Sequence, residues 1–161
     1  MGAVPDQDHG LFLMTSRIAY TLLLVLAAIA VLAPARAQHA GEPPYRLIAH
    51  PGHALAQVER GFVADAFLKK TTRWGDGTPI RPVDQSSDSP VRRRFSEQVI
   101  KRSVSAVKSY WQQQIFSGRD IPPPELDSDD AVVQYVLKHP GGLGYVSASA
   151  SIGQCKVLTV R

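Results

Sequence analysis

The alternation of short apolar segments with amphipathic segments constrains this 161-residue chain more than any other feature. Apolar runs bounded by turn residues predict strands, and hydrophobic residues that recur every three or four positions predict helices. The predicted strands are Tyr45–Ala49, Ile80–Val83, Leu143–Ser147 and Cys155–Val160. The predicted helices run from Leu55 to Lys70, onward from Ser89, from Ser105 to Phe116 and onward from Ser128. This order indicates an α/β fold, with a short mixed sheet flanked by about four helices.

The first 37 residues have the pattern of a secretory signal peptide. Arg17 precedes an apolar run from Ile18 to Leu32, and Ala35-Arg36-Ala37 is a small-x-small cleavage pattern that predicts cleavage between Ala37 and Gln38. The alternative is an uncleaved membrane anchor, but the apolar run is shorter than the roughly 20 residues that a spanning helix needs. We therefore expect export to the periplasm.

The predicted domain organisation has three parts. Residues 1–37 are the signal peptide, whose true start is either Met1 or Met14, residues 38–44 are a polar, proline-containing flexible leader, and residues 45–161 are the folded domain. Cys155 is the only cysteine, so neither an intramolecular disulfide nor a lipid-anchoring cysteine at the cleavage site is expected.

Composition and motifs argue against several functions. The chain is 44% hydrophobic with a net charge of +4, as expected of an ordinary globular domain. The densest basic cluster, Arg92-Arg93-Arg94 with Lys101 and Arg102, is interpreted as a solvated helix face, and nucleic acid is disfavoured further by export. His50 and His53 have no accompanying ligand set, so neither a metal nor any other cofactor is expected. No catalytic motif is present, so the chain is not predicted to be an enzyme.

The segment from Trp74 to Phe95 is the best candidate for a binding site. It predicts a strand that leads through a polar turn into a helix, with Ser89 as the N-cap and Pro90 at the first helical position. Backbone N–H groups and the positive end of the helix dipole at such a turn favour anions. Ser86, Ser87, Ser89 and Arg92 are the candidate ligand-binding residues, and the alternative is an ordinary helix cap.

Four segments together resemble the phosphate-type periplasmic substrate-binding proteins of ABC transporters. They are Ala66 to Trp74, Asp76 to Ile80, Ser89 to Phe95 and His139 to Val146, in the order that the family shows. The resemblance implies a single isolated lobe of the type 2 periplasmic-binding fold. Where the family has an arginine, a glycine and a threonine around its anion, this chain has Gln85, Pro90 and Val91. Proline has no N–H group and valine has no hydroxyl, so two donors are replaced.

The resemblance implies two functions from different classes. The first is an exported, non-catalytic solute-binding-like domain that binds phosphate or a related oxyanion for ABC transport. The second is a periplasmic adaptor domain that has lost ligand binding and contacts a membrane transporter or another envelope protein. A homodimer that pairs two anion-binding edges would restore a cleft between chains.

Overall fold

The computed structural model describes residues 45–161. The signal peptide at 1–37, its start at Met1 or Met14, its cleavage after Ala37 and the leader at 38–44 lie outside the described residues and stay predictions. The strands are Tyr45–Ala49 (β1), Gln57–Val58 (β2), Arg81–Pro82 (β3), Asp84–Gln85 (β4), Glu125–Leu126 (β5), Gly142–Ser147 (β6) and Lys156–Val160 (β7). The helices are Arg60–Phe67 (α1), Pro90–Phe95 (α2), Val104–Phe116 (α3) and Asp129–Lys138 (α4), and the π-helical segment Ser96–Ile100 continues α2.

Five of the strands form one mixed sheet in the order β2-β7-β1-β6-β3. The central strand β1 pairs antiparallel with β6 and β7, whereas the edge strands β2 and β3 pair parallel with β7 and β6. The remaining strands, β4 and β5, form a separate parallel pair. The predicted α/β class with a short mixed sheet and four helices is therefore confirmed.

Each face of the sheet buries its own apolar cluster. On one face, the rings of Phe95 and Tyr145 stack with their centroids 3.9 Å apart, and Phe67 packs against both. On the other face, Val132 and Val136 of α4 are fully buried in a cluster with Ile48 of β1 and Val146 of β6. Apolar area removed from water stabilises the fold by about 25 cal/mol per Å², so both layers contribute to stability.

The first helix is shorter than predicted. It begins at Arg60, because Gln57 and Val58 pair with β7 as a strand and the Thr159 N–H donates to the Ala56 carbonyl at 2.9 Å. The prediction of a helix from Leu55 was wrong at this end, and the Leu55 side chain is 48% exposed. The hydrogen bonds between this segment and β7 outweigh the weak preference for a helix that the spacing of its apolar residues indicates.

Two further differences concern the third helix and the connector after it. In α3, Val107 and Trp111 are buried as predicted, whereas Ile115 is half exposed. Strand β5 follows the Pro122-Pro123-Pro124 connector and was not predicted, because its two residues form a strand only by pairing with β4. Within residues 45–161, no helix has both the length and the hydropathy needed to cross a bilayer.

Candidate functional site

Polar side chains gather where β4 and β5 end and two helices begin. Ser89 caps α2 by accepting a hydrogen bond from the Arg92 N–H at 3.3 Å, and Ser128 caps α4 by accepting from the Ala131 N–H at 3.2 Å. In open α/β sheets, ligands bind outside the carboxyl ends of the strands. The turn from Ser86 to Ser89 therefore lies where the fold would place a ligand.

The buried Arg92 pairs with two carboxylates, the buried Asp84 and the half-exposed Glu125. Its side chain is almost fully buried, and its Nη2 lies 3.1 Å from Asp84 Oδ2 while its Nη1 lies 2.7 Å from Glu125 Oε1. Nη1 also donates to the Gln85 carbonyl. A buried guanidinium needs such partners, since an uncompensated charge costs several kcal/mol. The charge of Arg92 is therefore balanced inside the protein.

Asp84 is held by donors from several sides. Its Oδ1 accepts from the Gln85 N–H at 3.0 Å and from the Tyr145 hydroxyl. Burial raises the pKa of Asp84, and the Arg92 charge and the Tyr145 hydrogen bond oppose that shift. Burial and the Asp84 carboxylate both raise the pKa of Tyr145, so the phenol stays protonated and serves as a donor.

A second set of hydrogen bonds connects α2, α4 and β6. Gln85 Nε2 donates to Asp129 Oδ1 at 2.8 Å and to the Tyr145 carbonyl at 3.0 Å, and its Oε1 accepts from Ser89 Oγ at 2.6 Å. Asp129 in turn accepts from the N–H and hydroxyl of Ser147. These side chains are thus hydrogen-bonded mainly to one another, whereas the buried Nε of Arg92 has no partner.

The four candidate residues have different surroundings. Ser86 donates its N–H to the Leu126 carbonyl at 2.9 Å, Ser89 is the cap, Ser87 is exposed, and Arg92 is the buried ion-pair partner. The interpretation of the basic cluster as a solvated face holds for Arg93 and Arg94 but was wrong for Arg92, which is 3% exposed. Arg92 is buried because its position on α2 faces β4 and β5.

A groove of about 240 Å³ opens between the turn and α3. Ser87, Arg92 and Glu125 border it on one side, and Lys108 and Gln112 of α3 border it on the other. The rest of its lining is apolar and consists of Val104, Trp111, Ile115 and Pro122.

The exposed apolar side chains Phe116 and Ile121 directly adjoin lining residues of this groove in sequence. Phe116 is 90% exposed and Ile121 is 66% exposed. The groove therefore has a mixed polar and apolar lining, and exposed apolar residues flank it in sequence.

His50 and His53 line a different pocket from the groove. The ring of His53 packs on Trp74 with centroids 3.9 Å apart, and burial lowers the pKa of His53. Among the described residues, no three His, Cys, Asp or Glu side chains come together in a way that could hold a metal ion.

The sequence matches no family model and no curated protein. Solved structures do match. A phosphate ABC transporter substrate-binding protein from Clostridium perfringens with bound phosphate is 19% identical, with a TM-score of 0.57 over 74% of this chain. A phosphate transport receptor from Vibrio cholerae is 12% identical with a TM-score of 0.56 over 73%, and PstS from Borrelia burgdorferi is 14% identical with the same score and coverage.

The chain has the fold of one lobe of these proteins. It spans 46–47% of the length of each of the three, so the likeness covers less than half of the neighbours. The predicted resemblance to a single lobe of the phosphate-type binding proteins is thus confirmed at the level of the fold.

Sequence reasoning missed most of the side chains that fill the site of this lobe. Asp84 and Tyr145 are 61 positions apart, and Gln85 and Asp129 are 44 apart. The available local signal was Asp84-Gln85, two polar residues that directly follow the apolar Val83 at the end of a predicted strand. Their burial depends on β6 and α4, which no local pattern specifies.

Proposed function

We propose that this chain is an exported, non-catalytic domain of the solute-binding fold that recognises a protein of the cell envelope through the groove beside α3. A membrane transporter or a signalling component of the envelope is the class of partner that the likeness to ABC transporter proteins suggests. The observation that carries the proposal is the pairing of Arg92 with Asp84 and Glu125.

This pairing argues against a strong anion site at the turn. One buried cation faces two carboxylates, so the local charge is unfavourable for a further anion. The Ser89 hydroxyl is also engaged, since it donates to Gln85 and accepts from the Arg92 N–H. An oxyanion that bound here would have to break these hydrogen bonds before it could form hydrogen bonds to the same groups.

The apolar part of the groove lining supports protein recognition. Phosphate is strongly hydrated, and walls such as Val104, Trp111 and Pro122 would remove its water without replacing those hydrogen bonds. Exposed apolar side chains are typical of a protein interaction surface, and Phe116, which follows the groove residue Ile115 in sequence, is 90% exposed. The cation Lys108 at the same groove favours a partner segment with an acidic residue beside an apolar one.

A photo-crosslinking experiment tests the proposal. The photoreactive amino acid p-benzoylphenylalanine replaces Phe116 in the full chain expressed in its native host, and a control carries it at Gln134, an exposed position on α4. We expect an adduct of defined mass from position 116 and none from position 134. The Phe116→Ser variant should keep its melting temperature, because an exposed side chain contributes little to stability, and should lose the partner.

Oxyanion binding is the second candidate function. Ser87 and Lys108 are both exposed at the groove, and the similar structure from Clostridium perfringens contains phosphate. On this hypothesis, phosphate or sulfate raises the melting temperature, and Ser87→Ala or Lys108→Gln reduces the gain while Lys138→Gln does not. Such a result, with no adduct from position 116, would contradict the protein-binding proposal.

A further inference from the structure

The sheet contains a gap between two of its central strands. Strands β1 and β7 pair only where Leu47–Ala49 meets Lys156–Leu158. Beyond Leu158, β7 pairs with β2 instead, and the first residues of β1 pair with β6 alone. The two strands therefore diverge, and a cavity of about 460 Å³ lies between them.

The floor of this gap is apolar. Leu47 and Leu158 line it at the point where the pairing of β1 and β7 ends, and the other apolar lining residues include Val99 of the π-helical segment, Tyr45 and Val160. A volume of this size falls within the 300–1,000 Å³ that is typical of small-molecule sites in proteins.

Three arginine side chains line the gap, from Arg46, Arg60 and Arg161. Every charged residue that lines it is an arginine, and no Asp or Glu belongs to the lining. Arg46 is partly engaged, since its Nη2 donates to the Ala150 carbonyl while its buried Nε has no partner. Arg60 is exposed and uses Nη1 to donate to the Val99 carbonyl at 3.2 Å, and Arg161 is also exposed, so these two guanidinium groups have donors for a ligand.

We propose that this gap binds a small carboxylate with an apolar chain. The carboxylate would accept charge-assisted hydrogen bonds from Arg60 and Arg161, and the chain would lie on the apolar floor. An inorganic anion would make no apolar contacts with the floor, and a neutral apolar molecule would accept no charge-assisted hydrogen bonds from the arginines. The proposal does not depend on the protein partner proposed for the groove beside α3, because the two sites share no lining residue.

Octanoate is a suitable probe. We expect saturable binding to the full chain by isothermal titration calorimetry. The methyl NMR signals of Leu47, Val99 and Leu158 should shift in proportion to the fraction of protein that is bound. Because a hydrogen bond to a charged group is worth about 1.5–3 kcal/mol, the double variant Arg60→Gln/Arg161→Gln should bind about tenfold more weakly or worse. The matched control Arg93→Gln/Arg94→Gln removes two exposed charges from α2 and should bind like the parent.

Four results would overturn the proposal. Equal affinity of the two double variants would place octanoate elsewhere, for example on the apolar run at residues 18–32. Equal affinity for octan-1-ol would show that the arginines are not used. Unsaturable binding would indicate partitioning without a site. A concentration-dependent dimer that protects the same methyl groups would make a second copy of the chain the occupant.

Discussion

At the residue scale, Arg92 shows how far surroundings decide the role of a side chain. It is one of three consecutive arginines, yet only Arg92 is buried, and it is paired with Asp84 and Glu125. A buried ion pair is costly to break, because removal of one partner leaves an uncompensated charge in a poorly solvated place. Arg92 therefore belongs to the internal structure of the lobe.

Replacement of Asp84 tests this interpretation. Asp84→Asn removes the nearest buried counter-charge, and we expect the free energy of unfolding to fall by about 3 kcal/mol in urea denaturation. The exposed Asp88→Asn should change it by less than about 0.5 kcal/mol. The double variant Asp84→Asn/Arg92→Met should lose less free energy of unfolding than the two single variants lose in total. Full additivity would show that the pair is not coupled.

Tyr145 makes stability sensitive to alkaline pH. Its pKa is raised in the folded protein, whereas an unfolded tyrosine titrates near about pH 10. Above that pH the unfolded state loses a proton that the folded state keeps, so the free energy of unfolding falls as the pH rises.

The Tyr145→Phe variant should weaken this pH dependence. In urea denaturation between pH 8 and 11, the difference in slope from the parent should be close to zero at pH 8 and approach one proton, or about 1.4 kcal/mol per pH unit, near pH 11. The variant also removes the hydrogen bond that the Tyr145 hydroxyl donates to Asp84, so at pH 8 its free energy of unfolding should be lower by about 1.5–3 kcal/mol. Tyr110→Phe, which loses a hydrogen bond of 2.9 Å to the Leu68 carbonyl, should lose only about 0.5–1.5 kcal/mol. An unchanged slope would contradict the assignment.

At the element scale, the glycines before and within β6 allow its close contacts. A Cβ at Gly144 would lie 2.7 Å from Val132 Cγ1, so α4 packs directly on this strand. Gly141 has a φ of +79°, and a Cβ there would lie 2.1 Å from the Pro79 carbonyl oxygen. The Arg81 N–H donates to the Gly141 carbonyl where β3 joins the sheet. The Gly-Gly-Leu-Gly segment is thus a packing requirement of the lobe.

Two glycine substitutions should have opposite effects. Gly141→Ala should lower the melting temperature sharply, because both its backbone conformation and the contact with Pro79 become strained. Gly61→Ala, in the first turn of α1 with open space around it, should raise the free energy of unfolding by up to about 1 kcal/mol. A stable Gly141→Ala protein would contradict the proposed close approach of β3.

At the scale of the whole molecule, the mixed sheet separates two apolar layers. The aromatic layer of Phe67, Phe95 and Tyr145 includes the side chain that donates to Asp84, so core and polar network meet at one residue. The valine layer lies under α4, which supplies Asp129 to the same network. Both layers therefore position the site at the carboxyl ends of β4 and β5.

The prediction that the protein is exported can be tested on the whole chain. If residues 1–37 are a cleaved signal, N-terminal sequencing of the protein from the periplasm of its host should begin at Gln38. Ala37→Leu should block cleavage because the signal peptidase requires a small residue there, whereas Ala40→Leu should not. Recovery of the uncleaved chain in the membrane would instead support an anchor.

The class of fold and most of the helices could be predicted from the order of the residues alone. The caps at Ser89 and Ser128 and the apolar stripe of α4 are local patterns, and local patterns are legible because their causes lie within a few residues. In contrast, the strand at residues 57–58 and the burial of Arg92 arise only when the chain has folded. Both outcomes depend on partners distant in sequence, Thr159–Val160 in one case and Asp84 with Glu125 in the other. The physical reason is that hydrogen bonds and ion pairs form wherever folding brings their groups together, and chain spacing does not encode that proximity.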